Sequence, residues 1–159
     1  MRVYRYKDDS LMLHNDLYQI NMAESYWNDG IHERNAVFDL YFRNMPFGSG
    51  YAVFNGLKRM IQFIENFHFS DSDIEYLQSI GYKNDFLEYL KNLKFTGNIR
   101  AMQEGELCFG NEPLLRVEAP LIQAQLIETI LLNIVNFHTL ITTKASRIRQ
   151  VAPQDTLME

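Results

Sequence analysis

The run LIQAQLIETILLNIVNFHTLITTKASRIR, residues 121–149, constrains the fold more than any other stretch. At the helical period its apolar residues fall nearly all the way round, so the helix it forms needs a partner surface on most sides. Gln123, Gln125, Glu128, Asn133, Asn136 and His138 interrupt the apolar part between Leu121 and Thr143, which reads as a buried helix and not a membrane span. Pro120 suits the first position of that helix, where a missing N–H costs nothing. Lys144, Arg147 and Arg149 occupy its final turns, where cations complement the negative end of the helix dipole. The rest of the chain must supply what covers this rod.

Apolar spacing predicts a first helix over residues 16–29, with Leu17, Ile20, Ala23 or Glu24, and Trp27 on its period and Gly30 as its stop. In AVFDLYFR, Phe38, Leu40 and Phe42 alternate with Asp39, Tyr41 and Arg43, the pattern of a strand with two unlike faces. Pro46, Gly48 and Gly50 then turn the chain. YAVF forms a second strand, followed by a helix with Leu57, Met60, Ile61 and Ile64 on one stripe. Ser72 and Glu75 suit a capping box, and Gly81 separates short helices over 72–80 and 85–92. From Phe95 to Pro120, EG, GNEP and AP turns punctuate short β-prone pieces, which predicts a compact strand-rich layer. The fold class is therefore α+β, in one unit over residues 1–151. Thr156, Leu157 and Met158 read as the first residues of a strand, so 152–159 is expected to begin a further domain of a longer protein.

Several function classes drop out on charge and residue usage. A net charge of -5 with scattered Lys and Arg leaves no broad basic face for nucleic acid. Cys108 is the only cysteine, which excludes an internal disulfide and any multi-cysteine zinc site and fits the reducing cytoplasm. His14, His32, His68 and His138 show no metal-ligand spacing, and His138 reads as a hydrogen-bonded core residue. Glu104 and Glu106 flank Gly105 in a turn and read as a solvated hairpin. No phosphate loop, dinucleotide fingerprint or nucleophile elbow is present. One local oddity remains: NDLYQ opens the first helix with Asn15 and Asp16 and puts Tyr18 in its first turn, where an aromatic ring can look outward. Asp16 is the expected cap, with Asn15 also suited to capping.

Four separated segments, DLYQINMAESYW, AVFDLYFRNMPFGSGYAVFNGL, LKFTGNIRAMQEGELCFGNEPLLRVEAP and AQLIETILLNIVNFHTLITTKASRIR, together resemble nicotinate phosphoribosyltransferase in family order. The resemblance implies the N-terminal domain of a type II phosphoribosyltransferase, a mixed sheet with helices and a barrel-sandwich layer, with the α/β barrel domain largely outside this chain. It implies an enzyme of NAD salvage that joins nicotinate to phosphoribosyl pyrophosphate, releasing pyrophosphate and driven by ATP hydrolysis with Mg²⁺. It also implies a head-to-tail homodimer with shared sites. The family motif TDLYQ is matched as NDLYQ, so Tyr18 takes the position of the aromatic that stacks on the pyridine ring in the neighbouring subunit's site. Asp16 beside it either caps the helix or makes a polar contact near the base. By the same resemblance Arg43 reaches a phosphate of the sugar donor or of ATP, and Thr143 and Lys144 of TTKA face the site near the start of the barrel. The transiently phosphorylated histidine of the family lies downstream, so no catalytic residue is assigned here, and most ATP and Mg²⁺ contacts are expected downstream too. Two alternatives stand: a dimerisation or regulatory module that kept this fold, or a sister enzyme acting on nicotinamide or quinolinate.

Overall fold

The computed structural model describes residues 10–157. In chain order it contains α1 (Leu17–Asn28), β1 (Asn35–Leu40), a single 3-10 turn (Pro46–Gly48), β2 (Ala52–Val53), α2 (Leu57–Glu65), α3 (Asp71–Ser79) and α4 (Asn84–Asn92). Then follow β3 (Asn98–Ala101), β4 (Leu107–Cys108), β5 (Leu115–Pro120) and α5 (Leu121–Val151). Two antiparallel sheets result, one of order β1-β5-β3 and one pairing β2 with β4.

The long helix organises the packing as its sequence demands, but over only part of its length. Ile122, Leu126, Ile127, Ile130 and Leu131 of α5 join Ile20 and Ala23 of α1, Phe86 and Leu90 of α4, and Leu115, Val117 and Ala119 of β5 in one core. By composition and length α5 could cross a membrane, yet these residues face other elements of the same fold. Beyond them Leu132, Phe137 and Ile141 are exposed, so the far half of the helix lacks the cover its sequence calls for. A smaller core of Ala52, Phe54, Cys108, Leu114 and Val135 seals the β2-β4 pair against the middle of α5. Cys108 is wholly buried there, and burial pushes its thiol pKa up.

Several local expectations are corrected. Pro120 closes β5 and precedes the first helical residue, while the first α5 amides, on Leu121 and Ile122, donate to the backbone carbonyls of Arg34 and His32. β1 stops at Leu40 and not at Arg43. Its ladder runs out where β5 begins, because Pro113 has no N–H to donate, and Phe42 is held instead by the N–H of Asn111. The capping box lies at Ser70 and Asp73, two residues before the expected pair: the Ser70 hydroxyl accepts from the Asp73 N–H and the Asp73 carboxylate from the Ser70 N–H. On α2, Ile61 is exposed and Phe63 takes its place in the core, so the buried stripe follows Leu57, Met60, Phe63 and Ile64. Leu17 of α1 likewise faces out, and Gln19 lies inside. Glu104 is no idle hairpin residue: its carboxylate accepts from the Gly56 and Lys58 N–H groups and caps α2. Gly56 there has φ +107, and a Cβ would meet the Ile134 carbonyl at 3.1 Å. His138 is half-buried and bonds the Ile134 carbonyl. The stops at Gly30 and Gly81 form as expected, with φ +66 and +104. Thr156 and Leu157 form no strand, and Met158 lies outside the described residues.

Candidate functional site

β1 is an edge strand, and the antiparallel register places Phe38 opposite Val117 and Leu40 opposite Leu115, on the face that looks at α5. Between that free edge and the helix opens a cleft of about 190 Å³. Its floor is apolar, from Leu115, Val117, Ala124, Ile127 and Leu131, while Arg43 and Glu128 bring opposite charges to its lining. Asp39 also lines it, but its carboxylate is engaged on the Arg116 guanidinium at 2.7 and 2.8 Å. That bidentate pair holds the Asp39 carboxyl below the usual carboxylate range, so both partners are charged at neutral pH.

A polar seam runs from this cleft between α1 and α5. Asn15 does not cap α1; its amide donates to the Leu126 carbonyl at 2.7 Å and to the Met12 carbonyl at 3.1 Å. Gln19 and Gln125 are buried and hydrogen-bonded to each other, the Gln125 amide donating to the Gln19 side-chain carbonyl. The Gln19 amide in turn donates to the Tyr18 hydroxyl and to the Glu128 carboxylate, 3.0 Å from each. One buried amide therefore joins Tyr18 to the cleft.

The residues singled out in the sequence are placed as follows. Tyr18 is 53% exposed on the first turn of α1. Asp16 occupies the N-cap position with extended backbone, but its side chain makes no capping bond and is exposed beside Tyr18. Arg43 lines the cleft from the loop after β1. Thr143 is not presented to any opening: it is fully buried, accepting from the Val53 N–H at 2.9 Å and donating to the Thr139 carbonyl at 2.6 Å. Lys144 beside it is exposed. Thr143→Val should therefore act through stability, costing about 1–3 kcal/mol by leaving the buried Val53 N–H without an acceptor. A drop in the urea midpoint measures it; an unchanged midpoint would contradict the structural role. Gln19, Gln125 and Glu128 were missed as site residues. Their signal was present as polar interruptions of an otherwise apolar face. Among the described residues no three of His, Cys, Asp or Glu converge on a metal-sized point.

The small antiparallel sheet clasped by α5 and the α1 to α4 helices is the architecture of an N-terminal domain of the phosphoribosyltransferase class. It superposes on the crystal structure of human nicotinic acid phosphoribosyltransferase with a TM-score of 0.82 at 38% identity, covering 89% of this chain and 29% of that one. Residues 13–136 match the nicotinate phosphoribosyltransferase N-terminal domain family, and the chain belongs to it. The nicotinate phosphoribosyltransferase of Bacillus subtilis (strain 168) is 61% identical over 100% of this chain and 33% of its own length. That of Caenorhabditis elegans is 45% identical over 91% of this chain and 27% of its own. The chain thus spans about a third of the length of the curated relatives it matches.

Proposed function

We propose that this chain is the N-terminal domain, over residues 1–151, of an enzyme that forms nicotinate mononucleotide and pyrophosphate from nicotinate and phosphoribosyl pyrophosphate, coupled to ATP hydrolysis. The observation that carries this reading is Tyr18, an aromatic half out in solvent at the motif position of the base-stacking ring yet anchored through its hydroxyl to a buried amide. A flat, electron-poor pyridine gains from offset stacking on a phenol. Tyr18 is not among the residues lining its own chain's cleft, which suits a ring delivered to a neighbouring subunit in a homodimer.

Arg43, exposed in the lining of the cleft, is the cation suited to a phosphate of the sugar donor or of ATP. Asp16, freed from capping, can make the polar contact near the base, and Lys144 is exposed enough to take part; Thr143 supports β2 instead. As pyrophosphate leaves, the ribose gains oxocarbenium character and needs several cationic donors. Among the described residues, Arg43 is the one Lys or Arg that lines the cleft. The 159-residue chain alone is therefore expected to form no nicotinate mononucleotide, whereas the complete gene product does so with ATP and phosphoribosyl pyrophosphate. Turnover by the isolated chain would overturn the reading that the reaction needs residues beyond it, and no turnover of nicotinate by the complete product would overturn the base assignment. The single buried cysteine accords with a cytoplasmic enzyme.

A further inference from the structure

Gln19 is 1% exposed, yet every hydrogen-bonding atom of its side-chain amide is engaged. Its carbonyl accepts from Gln125, and its two N–H bonds go to the Tyr18 hydroxyl and the Glu128 carboxylate. That arrangement has one orientation. Turning the amide over would set its oxygen against the Glu128 carboxylate and its NH₂ against the NH₂ of Gln125, exchanging attractive contacts for repulsive ones in a buried site. Helix packing alone would need no contact with an exposed phenol. The bond to Tyr18 is the unusual member, because it ties a half-exposed ring to the amide that also holds the charge of Glu128.

We propose that Gln19 is a positioning residue for Tyr18, with Glu128 and Gln125 fixing the Gln19 amide so that the phenol ring is held in one orientation before substrate arrives; the inference rests on the stacking role proposed for Tyr18. Two consequences follow from donor and acceptor inventory. Accepting from Gln19 uses a lone pair of the hydroxyl, so the phenol's own hydrogen points away from the seam. The ring also loses part of its rotamer freedom in the free protein, so less ordering remains to be done on binding.

The test is a double-mutant cycle in the complete gene product, reading KM for nicotinate and kcat separately. Tyr18→Phe keeps the ring and removes the anchor, while Gln19→Met keeps the volume and removes the donor. Each is expected to raise KM by about 5-fold with a much smaller change in kcat, as the loss of one ordinary hydrogen bond implies. The double variant is expected to be no worse than the poorer single one, since both remove the same contact. Should Gln19→Met fail to fold, Glu128→Leu carries the same cycle, because it removes the acceptor that holds the Gln19 amide on one side and weakens its hold on the Tyr18 hydroxyl. Multiplying effects in the double variant, or a lowered Tm with KM unchanged, would overturn the positioning role and leave Gln19 a packing residue. Tyr18→Ala run alongside separates the two levels. If it raises KM while Tyr18→Phe does not, stacking stands and positioning falls; if it changes nothing, the stacking reading itself falls.

Discussion

Tyr18→Ala in the complete gene product is expected to lower kcat/KM for nicotinate by about 10- to 100-fold, with the fold and the proposed homodimer intact. The size follows from what the ring can contribute. Offset stacking adds about 0.5–1.5 kcal/mol beyond area burial, and covering one face of a phenol adds a further share of the ~1.5–3 kcal/mol of a fully buried apolar side chain. A total of about 1.4–2.7 kcal/mol is one to two powers of ten in rate. The fold is expected to survive because Tyr18 is half exposed and contributes no residue to either core. A steady-state assay with saturating ATP and phosphoribosyl pyrophosphate, beside a sedimentation measurement of assembly, decides it. A variant with wild-type kcat/KM would remove Tyr18 from the site; one that loses activity only by losing the dimer would make it an interface residue.

Phe86→Ala is expected to be the most damaging change outside the site, at about 3–5 kcal/mol. Phe86 has no solvent exposure, and its ring lies 5.8 Å from that of Trp27 and 6.0 Å from that of Tyr82. Removing it opens a void where α1 meets α4, and neither neighbouring ring can slide in without leaving its own contacts: Trp27 also faces Tyr89 at 6.4 Å. Against a total stability of about 5–15 kcal/mol such a loss lowers the urea midpoint by about 1–3 M. The control is Phe137→Ala, a ring of the same size that is 60% exposed on the far half of α5 and should cost little. Equal midpoints for the two variants would mean that the core is assembled differently.

What the chain made legible was local. A continuous apolar helix, left-handed glycine stops at Gly30 and Gly81, and an alternating strand around Phe38 and Leu40 are written in periods of a few residues, and they form where those periods place them. The misread features depend on partners distant in sequence. Glu104 looks like a hairpin residue until α2 presents its first amides 46 and 48 positions away. Ile61 and Phe63 both fit a helical stripe, and only the direction of the neighbouring core chooses between them. Asp16 has good capping chemistry, but its side chain takes no such bond. The candidate site divides in the same way. Exposure of Tyr18 was readable from its motif, whereas the Gln19 to Glu128 bridge spans 109 positions and could only be seen once α1 lay on α5.

Cys108 gives the molecule a built-in stopwatch. Its thiol is the only one in the chain, sits wholly inside the β2-β4 clasp, and points at the Ala52 carbonyl 3.5 Å away. A reagent reaches it only when the packing of Ala52, Phe54, Leu114 and Val135 around it opens, so the pace at which a disulfide reagent colours the native protein times the breathing of that one corner. Compared with the pace of global unfolding, it tells whether the small sheet opens as its own door or only when the whole house comes down.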